Sequence, residues 1–115
     1  MADFLTSSWF AELTARAAEL RPPAALELSI EQRIDDEPQE CWQVRIAGGG
    51  VEIVRSPVKE ADVHIITDRA TATGIQAGEI SAQRAFLDGR LRIGGDVQAL
   101  MNHRDALAEL GLGLV

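Results

Sequence analysis

A single cysteine, Cys41, is all that this 115-residue chain carries, so no internal disulfide can form. That usage fits a reducing compartment, the cytoplasm. No apolar run approaches the ~20 residues needed to span a bilayer. The opening MADFLTSSWFAEL holds acids and no basic leading segment, so it does not read as a secretory signal. Cations are in short supply: eleven Lys and Arg stand against eighteen Asp and Glu, a formal net charge of -7. Nucleic acid and anionic membranes are therefore disfavoured as standing partners, because they repel an acidic surface. Internal repeats, linkers and low-complexity stretches are missing. So is the spacing of a metal site, since His64 and His103 lie far from Cys41 and from each other in sequence. Ser7, Ser29 and Ser81 lack a Gly-x-Ser-x-Gly context. No basic residue adjoins Cys41 in sequence to activate its thiol. Catalytic residues, metals and cofactors are accordingly not expected.

What is present is a folding composition. Apolar residues make up 46% of the chain. At this length one domain, residues 1–115, can bury about 70% of its unfolded surface. A first helix runs from a cap at Ser7 or Ser8 to about Leu20, with Phe10, Leu13, Ala17 and Leu20 on one face. Pro22-Pro23 stops it. Leu26, Leu28 and Ile30 then alternate with polar residues, and Ile34 keeps the phase of a half-buried strand. After the acidic turn Asp35 to Gln39, a second strand points Trp42, Val44 and Ile46 one way and Gln43 and Arg45 the other. Gly48-Gly49-Gly50 reverses the chain into a third strand with Val51 and Ile53 inward. A loop at Pro57 and Lys59 leads to a fourth strand over Ala61 to Thr67, on which His64 faces solvent. Asp68 caps a helix over Ala70 to Ala77. Strands joined by tight turns pair antiparallel, so these read as a meander.

The most specific signal is GEISAQRAFLDGRLRIGGDVQALM, from Gly78 to Met101. Ser81 caps a helix whose apolar face carries Phe86, and Gly89 ends it. Arg90 to Ile93 alternates as a strand, Gly94-Gly95 breaks it, and Asp96 caps another helix over Val97 to Asn102. A last helix, with His103 at the junction, spans Asp105 to Leu110. One sheet face then needs a helical cover, which makes an α+β two-layer domain with about five antiparallel-dominated strands.

The Gly78 to Met101 string, together with ADVHIITD at Ala61 to Asp68, resembles the C-terminal signature of the sterol carrier protein 2 family. FLTSSWFAEL is similar to the start of bacterial members. The resemblance implies a non-catalytic carrier that holds a sterol, fatty acid or fatty acyl-CoA in an apolar tunnel between sheet and helices. Phe86, Leu91, Ile93, Leu100 and Met101 would line or close that tunnel, with Ile75 and Ile80 on the cover. Strand phase adds Trp42, Val44, Ile53 and Ile65. Periodicity alone would assign the same stripes to a solid core. The family also leaves open an accessory role, presenting lipid to a partner enzyme, and with it transient contact with that enzyme or with a membrane. Phe4, Leu5, Leu112 and Leu114 near the termini could pair subunits as a homodimer or gate the tunnel. Apolar contact without a charged anchor implies loose head-group selectivity.

Overall fold

Helix α1, Ser7–Glu19, starts one residue earlier than its two serines suggest. Thr6 is the cap, and its hydroxyl accepts the Trp9 N–H at 3.2 Å. Phe10, Leu13 and Ala17 are buried as the spacing predicts, while Leu20 forms the extended C-cap ahead of the prolines. The computed structural model describes residues 6–37, 39–55, 60–103 and 105–106. Most of the expected Asp105 to Leu110 helix, the loop residues Pro57 and Lys59, and Phe4, Leu5, Leu112 and Leu114 lie outside the described residues.

Five strands follow the helix: β1 Leu28–Ile34, β2 Glu40–Ala47, β3 Gly50–Val54, β4 Val63–Thr67 and β5 Leu91–Gly95. They form one mixed sheet in the order β3-β2-β1-β4-β5. Three of the four pairings are antiparallel. The fourth corrects the simple meander, because β4 crosses back and lies parallel to β1, with Ile30 opposite Val63 and Ile34 opposite Thr67. Local turn chemistry speaks only for neighbouring strands. The crossover instead places Val63 and Ile65, exposed by 0% and 3%, in the middle of the sheet.

Asp62 fixes that parallel pair. Its backbone N–H donates to Ser29 Oγ at 2.9 Å, and its Oδ2 accepts the Ser29 N–H at 3.0 Å. Its carbonyl accepts the Asp96 N–H at 2.7 Å, which ties the start of β4 to the end of β5. β5 continues through Gly94 and Gly95 rather than breaking there, because both still pair with β4.

Among the described residues three short helices accompany the sheet: α2 Arg69–Gln76, α3 Ala82–Leu87 and α4 Val97–Asn102. Ser81 and Asp96 cap α3 and α4 as their sequence positions imply. The end of α3 is a Schellman motif. Gly89 takes φ +78° and donates to the Phe86 carbonyl at 3.1 Å, and Arg90 donates to Ala85 at 2.9 Å. The acidic turn is more than solvated surface. Asp35 pairs with Arg92 at 3.0 Å, and Asp36 Oδ1 accepts the Arg69 N–H of α2 at 2.8 Å.

Asp68 caps α2 with both carboxylate oxygens, accepting the Thr71 N–H at 2.7 Å and the Thr71 hydroxyl at 2.9 Å. The first of these bonds, chiefly, holds its carboxyl below the usual range. Asp68→Ala should therefore cost about 0.5–2 kcal/mol at neutral pH. A depressed native pKa stabilises above the unfolded value of about 3.9 and stops doing so as pH falls through the native one. Urea midpoints at pH 7 and pH 3 should show the parent–variant gap narrowing in acid; a constant gap would rule out the carboxylate as the source.

Candidate functional site

Alternation and register place one set of side chains on the face under the helices. Across the sheet they run Val51 and Ile53 on β3, then Trp42, Val44 and Ile46 on β2, and Leu28, Ile30, Gln32 and Ile34 on β1. Val63, Ile65 and Thr67 follow on β4, with Leu91 and Ile93 on β5. Phe10, Leu13 and Ala17 of α1, Ala72 of α2, Ala85 of α3 and Leu100 of α4 join the apolar members in one core cluster. α1 packs on β3, α3 on β5 and α4 on β4.

The two halves of this interlayer differ. Under α1 it is aromatic: the Phe10 and Trp42 rings meet edge-on at 5.5 Å, Trp9 and Trp42 at 5.7 Å. The Arg55 guanidinium lies over the Phe10 ring, 4.0 Å from its centroid. Under α2 and α3 the buried helix residues are small, namely Thr71, Ala72, Gly74 and Ala85. The large apolar side chains Phe86 and Leu87 of α3 and Met101 of α4 sit at the surface instead.

Of the sequence-predicted site residues, Trp42, Val44, Ile65, Leu91 and Leu100 are buried in the core cluster. Ile53, Ile75, Ile80 and Ile93 are partly buried and pack against it. Phe86 and Met101 are not drawn in; they are 46% and 47% exposed. For Phe86 this corrects the expected helix phase. Ala85 is the residue that α3 turns inward, and a methyl group lets this six-residue helix sit close on β5. Val97 is exposed as well.

The opposite sheet face is polar, and one expectation for it needs amending. Gln43 points away from the helices as predicted, yet it is 1% exposed. It lies inside a hydrogen-bonded row: Arg45 Nη1 donates to Gln43 Oε1 at 2.6 Å, and Gln43 Nε2 donates to Glu31 at 3.2 Å. Arg33 donates to the same carboxylate, whose charge raises the guanidinium pKa. Neighbouring Cys41 is half-buried. Burial first, and then the Glu31 charge, push its thiol upward, so it stays protonated and a poor nucleophile. His64 lies on this face too, 3.8 Å from Glu60.

Two features went unread in the sequence. One is the Asp62 clamp, which needs β1 beside β4 to exist. The other is Gln32, whose signal was available: it occupies the inward phase between Ile30 and Ile34. As a whole the interlayer can do one kind of chemistry well, the exclusion of water from hydrocarbon. Among the described residues no group of three or more His, Cys, Asp or Glu could hold a metal ion, and no helix is long and apolar enough to cross a membrane.

Comparison with known proteins agrees with this geometry. A family model described as the SCP-2 sterol transfer family matches residues 11–108. None of the curated proteins matches this sequence. Among solved structures, a crystal structure of sterol carrier protein 2 is 21% identical with a TM-score of 0.72, covering 96% of this chain and 97% of that one. A Thermus thermophilus protein described as possibly a sterol carrier protein is 21% identical at TM-score 0.67, covering 96% and 87%. The palmitated sterol carrier protein 2-like 2 of Aedes aegypti is 17% identical at TM-score 0.66, covering 86% and 88%. At these identities the structures speak for a shared fold.

Proposed function

This chain belongs to the SCP-2 sterol transfer family, and on that premise we propose that it is a non-catalytic lipid carrier. Its ligand is a sterol, a fatty acid or a fatty acyl-CoA, held between the sheet and its helical cover. The observation that carries the reading is the largely apolar face of the sheet, interrupted at Gln32 and Thr67, under the small buried residues of α2 and α3, with Phe86 and Met101 left half-exposed on α3 and α4. Trp42, Val44, Ile53, Ile65, Leu91 and Ile93 are the sheet contacts in this reading. Ile75, Ile80, Phe86, Leu100 and Met101 are those of the cover. The Aedes aegypti neighbour, solved as its palmitated form, supports a fatty chain as one ligand of this fold.

Magnitudes fit a carrier. Burying one methylene gives about 0.8 kcal/mol, so a sixteen-carbon chain gives roughly 12 kcal/mol. Association costs about 4–15 kcal/mol. The remainder is modest, which suits a protein that must release what it binds. The test is titration with a fluorescent fatty-acid or sterol probe. Saturable binding, displacement by unlabelled lipid and a change in tryptophan emission are expected, since Trp42 faces the interlayer with Trp9 beside it. Linear, unsaturable uptake, or no displacement, would overturn the carrier reading.

A further inference from the structure

Among the described residues Gln32 is the one amide on the sheet's inner face. Its register partners are Trp42 on β2 and Ile65 on β4, and its neighbours of the same phase on β1 are Ile30 and Ile34. All four are buried, at 2%, 3%, 0% and 1% exposure. Gln32 itself is only half-buried, so solvent reaches the sheet at this point and not at the residues around it. Among the described residues its side-chain amide makes no hydrogen bond. Its half-exposure leaves the amide open to solvent. A hydrocarbon laid over it would remove that solvent and offer nothing in return, and an amide stranded in this way costs about 1–3 kcal/mol.

We infer that the Gln32 amide is the hydrogen-bonding partner of an uncharged polar group on the bound lipid, an alcohol hydroxyl or a carbonyl, and that it thereby sets which lipids the site prefers. This rests on the carrier reading above and replaces the loose head-group selectivity that apolar contacts alone imply. The amide both donates and accepts, so it serves either group. The surrounding charges argue for a neutral one. Glu40, opposite Ile34, occupies the next inward position along the strands, and Asp68 follows directly after Thr67 of the same row. Both disfavour a carboxylate. Among the described cations on this side, Arg55 is engaged on the ring of Phe10, and the charge of Arg90 acts on Asp68.

The experiment is displacement of a bound fluorescent lipid probe from the full chain by 1-octadecanol, octadecane and stearate. It compares the parent with Gln32→Met, which keeps the length of the side chain and removes its hydrogen bonds. The ratio of octadecanol to octadecane affinity should fall about 3- to 10-fold in the variant, the size of one hydrogen bond. Octadecane should bind the variant as well as the parent or better. Gln32→Leu, branched rather than linear, is the second variant and should show the same fall; melting curves establish that each is folded. An unchanged ratio in both variants overturns the inference and leaves the carrier reading standing. So does a parent that prefers stearate to octadecanol. A parent that binds no probe at all removes both.

Discussion

Replacing Gly95 by alanine should cost upwards of about 3 kcal/mol, far more than the same change at Gly89. The two glycines share a backbone conformation, with φ +79° and +78°. A left-handed residue with a Cβ costs about 1–2 kcal/mol at either site. At Gly89 nothing lies within 4 Å of the added carbon, so that cost is the whole effect. At Gly95 the new Cβ would collide with the carbonyl oxygen of Asp62, a backbone atom held by the Asp96 N–H at 2.7 Å. A flexible side chain could move aside, but this peptide cannot. Its displacement pulls at the start of β4, at the Ser29 clamp and at the first turn of α4 together. For a domain of this size the total stability is about 5–15 kcal/mol, so the variant should melt many degrees lower. Paired thermal and urea denaturation of Gly95→Ala and Gly89→Ala decides the matter. Equal losses would show that conformation alone, and not the approach of Asp62, requires glycine at position 95.

A second large effect is expected on binding rather than on stability. Phe86 is 46% exposed. A phenylalanine side chain presents about 200 Å², so about 90 Å² of this ring remains for a lipid to cover. At about 25 cal/mol per Å² that area is worth about 2 kcal/mol, or about 30-fold in affinity. Phe86→Ala should therefore raise the dissociation constant of a fatty-acid or sterol probe by about that factor. Its half-exposure keeps the loss of stability well below the about 3–5 kcal/mol of a fully buried Phe, which makes the binding result readable. Arg92→Ala is the control. Arg92 lies on the outer sheet face in a surface pair with Asp35, worth about 0–1 kcal/mol, and its loss should leave binding unchanged. A Phe86→Ala protein that binds probe like the parent would take Phe86 out of the site.

The elements themselves were largely legible in the sequence because each is marked by short-range chemistry. Asp68, Ser81 and Asp96 cap the helices that they precede, and Gly89 ends α3 in the conformation its position implies. Strand phase was legible too, since Trp42, Val44 and Ile46 share a face with Ile30 and Ile65 as their alternation requires. The misreadings have local causes. Thr6, Ser7 and Ser8 can each cap a helix, and capping propensity does not separate them. Gly94-Gly95 looks like a strand break until β4 supplies hydrogen-bond partners. The site was less legible than the fold. A helix as short as α3 has too few residues for its pattern to say which side faces in, and packing against β5 selected Ala85 over Phe86.

By itself the sequence determined that this chain forms strands under a helical cover with one apolar sheet face, and it carried the family's motif from Gly78 to Met101. Those properties reside in neighbours a few residues apart, where caps, turns and alternation act. Only the tertiary structure decided that β4 returns beside β1 in parallel, that Asp62 joins three elements, and that Gln32 stands alone as an amide among buried apolar neighbours. Each of these depends on residues distant in sequence being brought into register, and no local preference encodes which distant strand a given strand will meet.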